Sequence, residues 1–258
     1  MGAAFIWQLI VIAMVGYLIG SVNLSIILSH LMGKGDIRNY GSGNAGTTNT
    51  LRTLGKLPAL AVLIFDIFKG AIAIIIGVWL MGLGTLNREP EYMQLAIEYA
   101  ELIAGFFAIF GHNFPIYYGF KGGKGIATSL GVIITIEPII GATCALFGVV
   151  LILASRMVSL GSIFAAFLYP VLVFTLGEAY PAELVYRIPY CIFALVLGSL
   201  AIYRHRANID RLLKGTENKL WKTKKEKAEL ATKASEEDNK VENSKEEAKE
   251  TINPEGGK

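Results

Sequence analysis

Six apolar runs dominate this chain, near residues 4–31, 58–84, 97–118, 125–154, 157–177 and 185–203. Each suits a transmembrane helix, which needs roughly 20 such residues. Of the 258 residues 53% are hydrophobic and only 17% are charged, with a mean hydropathy of +0.49. That is more apolar surface than one soluble core can hide. The first run lacks a basic flank and a small-residue cleavage pattern, so it reads as a retained helix and not a signal peptide. The expected fold class is an all-α integral membrane protein, a polytopic helix bundle.

The net charge of +3 is an average over unlike regions. Basic residues in short loops mark the cytoplasmic side. Loop 33–57 carries Lys34, Arg38, Arg52 and Lys56, stretch 119–125 carries Lys121 and Lys124, and the end of the last run carries Arg204, Arg206, Arg211 and Lys214. Loop 85–96 sets one Arg88 against Glu89 and Glu91, and loop 178–184 has Glu178 and Glu183 with no cation. The first three belong inside and the last two outside, which six simple spans cannot satisfy. The conflict disappears if 125–154 crosses twice, turning at Glu137-Pro138, where proline removes a backbone donor and breaks the helix. Two short helices, near 125–136 and 138–154, would return the chain to the cytoplasm at Arg156; one long kinked helix is the alternative. About seven transmembrane helices follow, some short, with the N terminus outside and the C terminus cytoplasmic. Residues 1–218 form the transmembrane domain. Residues 219–258, rich in Lys, Glu, Asn and Ser, read as a charged low-complexity cytoplasmic tail.

Three segments interrupt the apolar pattern with small, hydrogen-bonding and cationic residues. The first, Gly41-Ser-Gly-Asn-Ala-Gly-Thr-Thr-Asn49, has glycines that let backbone amides approach an anion, with donors from Ser42, Thr47, Thr48 and Asn49. Arg52 follows, and its planar fork suits a phosphate. The second runs from Gly111-His112-Asn113 to Lys121-Gly122-Gly123-Lys124-Gly125 and opens the next apolar helix. Its free amides and positive dipole end are expected to face the same way as its two ammonium groups. It is not a Walker A loop: the spacing is wrong, and no Ser or Thr follows Lys124. The third, Arg204-His-Arg-Ala-Asn-Ile-Asp-Arg-Leu-Leu-Lys-Gly-Thr-Glu-Asn-Lys219, sets His205 and Asn208 on one helical face, with Gly215 ending the helix. Together the three look like parts of one anion site at a membrane surface.

Other polar residues within the runs have blander readings. Asp66 and Lys69 sit at i, i+3 in the second run and can neutralise each other; the alternative is that Asp66 holds a catalytic cation in place. Ser21, Ser25 and Ser29 make a stripe toward the bundle interior, with Asn23 off it. Ser159 and Ser162 open another span from the cytoplasmic side and could join the site. Cys144 and Cys191 are packing residues, and two cysteines alone cannot form the usual four-ligand zinc site. His205 and Asp210 spell His-x4-Asp, a pattern of a soluble class of glycerolipid acyltransferases. On a continuous helix those side chains point about 140° apart, so the match reads as coincidence.

These residues resemble a family, the bacterial membrane acyl-phosphate:glycerol-3-phosphate acyltransferases of the PlsY type. The resemblance runs from the first span to about Lys219. It covers Gly41 to Lys56, Asp66-Ile-Phe-Lys-Gly70, Gly111-His-Asn-Phe-Pro115, Phe120-Lys-Gly-Gly-Lys-Gly-Ile-Ala-Thr128, and His205-Arg-x-Asn208 followed by Gly215-x-Glu217. It implies transfer of an acyl group from acyl phosphate to the 1-hydroxyl of sn-glycerol 3-phosphate, giving lysophosphatidic acid and inorganic phosphate, at the cytoplasmic face of the plasma membrane. It implies catalytic roles for Ser42, Arg52, His205, Asn208 and Glu217. Substrate-binding residues would be Gly43, Asn44, Thr48, Asn49, His112, Lys121, Gly122, Gly123, Lys124 and Ser162. No cofactor, metal or nucleic acid is expected; a functional link to the enzyme that makes acyl phosphate is. Ala207 departs from the pattern, standing where relatives often have Glu. The alternatives are an acyl-CoA-dependent His-x4-Asp enzyme, and a transporter of small phosphorylated anions.

Overall fold

The computed structural model describes residues 3–85, 90–176 and 184–221, and within these ranges the regular structure is helical throughout. In chain order the α-helices are α1 Ala3–Ser21, α2 Leu24–Leu31, α3 Thr47–Thr53, α4 Lys56–Thr85, α5 Pro90–Asn113, α6 Ile126–Ile136, α7 Pro138–Ser155, α8 Val158–Leu176, α9 Leu184–Arg204 and α10 Arg206–Leu213. Among the described residues, five stretches are long and apolar enough to cross a membrane, six if α9 and its bent continuation α10 count as one. The shorter α6 is also apolar. Arg88, Glu89, Glu178, Glu183 and the tail from residue 222 lie outside the described residues.

The first apolar run is broken where hydropathy gives no warning. α1 stops at Ser21 and α2 starts at Leu24, with the buried Asn23 side chain capping α2 by accepting from the Ile26 N–H. An asparagine at that position satisfies a helix-end donor and so makes a break inexpensive. The serine stripe does face inward: Ser21, Ser25 and Ser29 are fully buried. Asn23 is not off to the side but buried with them, and its Nδ2 donates to Ala45 O at 3.2 Å.

Small residues let the helices close on one another, as in other bundles within lipid, where hydrophobicity alone does not drive helices together. At the α1–α5 contact a Cβ on Gly20 would sit 2.0 Å from Ala108 O, and at the α7–α8 contact one on Gly161 would sit 2.3 Å from Gly148 O. The chain reverses where the sequence suggests. α6 ends at Ile136, and Pro138 is the first residue of α7, a position that wastes no backbone donor. A Cβ on Gly141 would lie 2.9 Å from the Ile134 amide nitrogen, so α7 folds back over α6 and does not extend it. Glu137, at the turn, accepts from the Tyr169 hydroxyl at 2.7 Å.

Candidate functional site

The first motif is a loop built around Asn49. Its Oδ1 accepts from the Ser42 N–H at 2.8 Å, and its Nδ2 donates to Ile37 O and Tyr40 O at 3.1 and 3.0 Å. Asn49 is 1% exposed and its amide is fully used, so it shapes the loop from within. Gly41 permits this: its φ is +58°, and a Cβ there would strike Asn49 Oδ1. The loop leaves Ser42 and Gly43 exposed and Asn44 and Thr48 half-buried. Arg52, on α3, makes no hydrogen bond or ion pair among the described residues. Its guanidinium lies close enough to Glu217 and Arg211 to feel their charges.

The second motif departs from expectation in one respect. The amides of Gly122 and Gly123 are not free; they donate to Asn113 O and His112 O at 3.2 and 3.1 Å. Both glycines are needed for packing, since a Cβ on Gly122 would lie 2.0 Å from His112 O and one on Gly123 2.0 Å from His112 Nε2. Amides left for an anion are therefore those of the first turn of α6, which have no partner within their own helix. Lys121 points outward, whereas Lys124 turns inward, and its ammonium donates to Asn208 Oδ1. His112 is buried: Lys69 Nζ lies 2.8 Å from its Nδ1, 2.7 Å from Asp66 Oδ1 and 3.0 Å from Val22 O. The Asp66–Lys69 pairing expected from the sequence thus exists and takes in His112 as well.

The third motif closes the site. α9 ends at Arg204, and the axis bends by 60° at His205 before α10 begins. His205 caps α10, its carbonyl accepting from the Asn208 and Ile209 amides, so the two residues stand one turn apart as expected, and both are buried. Asn208 Nδ2 donates to Glu217 Oε1 at 2.8 Å, and Arg211 Nε donates to Glu217 Oε2 at 2.8 Å. The result is one chain of contacts, Lys124–Asn208–Glu217–Arg211. Gly215 takes a left-handed φ of +67° and ends α10 as expected, which lets Glu217 double back. His205 Nδ1 lies 2.8 Å from Ala201 O. A carbonyl only accepts, so Nδ1 carries the proton and Nε2 is left as an acceptor. Burial first, and the Lys124 ammonium second, push the His205 pKa down to about 4, so the ring is neutral at physiological pH. Burial also lowers Lys124, to about 8; the Arg211, Arg204 and Arg52 cations act the same way and Glu217 opposes.

The structure therefore brings together Arg52, Lys124, His205, Asn208, Glu217 and Arg211, one cluster drawn from all three motifs. It does not bring in every candidate. Ser162 is buried in the first turns of α8 and makes no hydrogen bond to the motifs among the described residues. Arg206 turns out over the Tyr203 ring, 4.7 Å from its centroid. Asp210 is exposed and pairs with Lys214 at 2.9 Å, so the His-x4-Asp spelling makes no dyad.

A known family has this sequence pattern. The family model described as "Glycerol-3-phosphate acyltransferase" matches residues 10–215. The chain belongs to the glycerol-3-phosphate acyltransferase family. The glycerol-3-phosphate acyltransferase of Halalkalibacterium halodurans is 42% identical over 208 residues, covering 81% of this chain and 93% of that protein. The one from Thermoanaerobacter pseudethanolicus is 43% identical with the same coverage. Among solved structures, the integral membrane enzyme PlsY (YgiH) in its glycerol 3-phosphate form matches with a TM-score of 0.68 at 34% identity, over 82% of this chain and 94% of that one. Its lysophosphatidic acid form matches with a TM-score of 0.66.

Within this family member, one residue of that cluster, Arg211, escaped the sequence reading as a named site residue. It stood only among the cations of the third segment. Arg211 and Glu217 do not stand at the three- or four-residue spacing that pairs side chains on a helix. Their contact depends instead on the reversal at Gly215. Arg204, beside the cluster, donates from Nη2 to main-chain carbonyls, a contact that no side-chain pattern reports.

Proposed function

We propose that this chain transfers a fatty acyl group from acyl phosphate to the 1-hydroxyl of sn-glycerol 3-phosphate. The products are lysophosphatidic acid and inorganic phosphate, as in the first acylation of phospholipid synthesis. The observation that carries this reading is the Lys124–Asn208–Glu217–Arg211 chain lying beside Arg52, with the first turn of α6 opening next to it. Two phosphates side by side call for several cations and many donors, and the cluster supplies them.

Acyl phosphate is an activated mixed anhydride, so positioning and charge stabilisation suffice. The glycerol hydroxyl oxygen bonds to the acyl carbon, the bond from that carbon to the phosphate oxygen breaks, and the hydroxyl proton leaves with the phosphate. Neutral His205, with Nε2 open, accepts from the attacking hydroxyl and orients it; as an acceptor it is unsuited to steadying the phosphate. Lys124 and Arg52 take that task. Asn208 and Glu217 hold Lys124 in place, and Ser42, Asn44 and Thr48 offer donors at the mouth. His205 shares no hydrogen bond with a serine or cysteine among the described residues, which favours direct transfer over an acyl-enzyme.

The same reading gives seven crossings, with α6 and α7 as two of them. It puts the N terminus outside and the three motifs at the cytoplasmic face of the plasma membrane, and makes 1–218 the catalytic domain with 219–258 a tail. The donor would come from an enzyme that makes acyl phosphate. The test uses purified full-length protein in lipid with palmitoyl phosphate. Phosphate release that requires glycerol 3-phosphate, with lysophosphatidic acid formed in equal amount and no turnover of palmitoyl-CoA, is the expected result. Vesicle uptake of glycerol 3-phosphate without turnover, or an acyl group trapped on Ser42, would overturn it.

A further inference from the structure

The segment 118–123 delivers Lys124 to the site, and its backbone is gripped from two sides. On one side Arg38 Nη1 donates to Tyr118 O at 2.7 Å and to Lys121 O at 2.8 Å. The rest of its guanidinium meets the Asp36 carboxylate, with Nε 3.0 Å from both oxygens and Nη2 2.6 Å from Oδ2. On the other side Arg204 Nη2 donates to Gly123 O at 2.6 Å, with longer reaches of 3.3 Å to Gly122 O and 3.4 Å to Asn113 O. Its guanidinium also lies 5.1 Å from the Phe114 ring centroid. Between the two carbonyls held by Arg38, Phe120 sits at a left-handed φ of 59°. A bulky side chain keeps that conformation only where its surroundings over-determine it.

Several amides of the segment are committed as well: Phe120 N–H donates to Pro115 O, and the Gly122 and Gly123 amides return to α5. The segment is thus held at several points along its backbone, and the residue it presents is Lys124. Arg38 comes from the turn just before the first motif and Arg204 from the start of the third. The two staples therefore set the three motifs relative to one another.

We infer that Arg38 and Arg204 are positioning residues: they do not hold substrate but clamp the 118–123 backbone so that Lys124 meets Asn208 at the phosphate site. This rests on the reading that Lys124 binds a substrate phosphate. The competing account makes both arginines inside-positive charges that orient the chain in the membrane. Lysine separates the two, because it keeps the charge and loses the planar fork.

The experiment compares Arg38→Lys, Arg204→Lys, Lys124→Gln and the two double variants, Arg38→Lys/Lys124→Gln and Arg204→Lys/Lys124→Gln. All are full-length and purified, assayed with palmitoyl phosphate across glycerol 3-phosphate concentrations. A misplacement near 1 Å costs about 100-fold, so each lysine variant is expected to lose about that much in kcat/KM. The loss should include a raised KM for glycerol 3-phosphate, whereas mere loss of folded enzyme lowers kcat alone. In the Lys124→Gln background the same substitutions should cost less than about twofold, because residues acting through one group are not additive. Arg38→Lys and Arg204→Lys enzymes with ordinary kinetics would overturn the inference. So would a full 100-fold loss on top of Lys124→Gln, which would mean that the arginines act on substrate directly. A fully active Lys124→Gln protein would instead sink the phosphate assignment beneath it. Thermal unfolding of each variant identifies any that fails to fold, and the two arginines provide independent trials.

Discussion

Lys124 and Asn208 are where the chemistry concentrates. Burial pushes the Lys124 pKa down to about 8, so the ammonium is present below that pH and lost above it. If the charge holds substrate phosphate, kcat/KM for glycerol 3-phosphate should fall as pH rises through about 8, since that parameter reports the free enzyme. Arginine stays charged in proteins, so Lys124→Arg should move the falling limb upward; a limb that stays put would assign it to another group. Asn208→Ala removes the amide joining Lys124 to Glu217, leaving Arg211 as the carboxylate's hydrogen-bond partner. Removing one such preorganised contact costs about 100-fold in kcat. Asn208→Asp should do no better, because a second carboxylate would then face Glu217. Away from the site, Lys69→Met would leave Asp66 buried without its cation, a loss of roughly 3–5 kcal/mol in stability. Adding Asp66→Asn should recover much of it, read by thermal unfolding.

The helices were largely legible because their signal is length and hydropathy, and the missed features are those with no such signal. The turn at Glu137-Pro138 announces itself, since proline cannot continue the backbone ladder. The break at Val22–Asn23 does not, because one asparagine barely changes the average of a 28-residue apolar stretch. The three motifs stood out as small and polar residues where lipid-facing ones would be expected. Which of their groups face a ligand did not, because Asn49, Gly122 and Gly123 turn their polar atoms inward to partners set by the folded loop. Helix contacts are similarly specific. Gly20→Val would drive a side chain into the α5 backbone at Ala108, where even a Cβ lies 2.0 Å from the carbonyl oxygen. Overpacking of this kind typically costs about 1–3 kcal/mol. The thermal midpoint should fall well below that of a control at Gly82, whose Cβ would meet nothing within 4 Å.

For the whole molecule, the arrangement of the α6–α7 pair decides the topology. α6 has 11 residues, about 16 Å of helix, against a hydrocarbon core of about 30 Å. A helix that short crosses only where the bilayer is thinned or where its ends are buried in protein. Both ends of α6 meet that condition, one beside the motif-two segment and the other at Glu137, which is held by Tyr169. α7 folds back over it, and on the proposed topology Arg156 then returns to the side from which α6 began. That side carries the three motifs, and a shortened wall beside them would give a lipid-borne acyl chain a lateral way in. The consequence can be measured with single cysteines at positions 34, 156 and 214, in protein whose Cys144 and Cys191 are replaced by alanine. In sealed vesicles, a membrane-impermeant maleimide should label all three only when the cytoplasmic face is outward. Position 88 should label only in the opposite orientation. If 125–154 were one kinked span, position 156 would label together with 88, and the third motif would end on the far side of the membrane from the first. No single site could then use Arg52 and Lys124 with Asn208, so the labelling of position 156 tests the fold and the proposed chemistry at once.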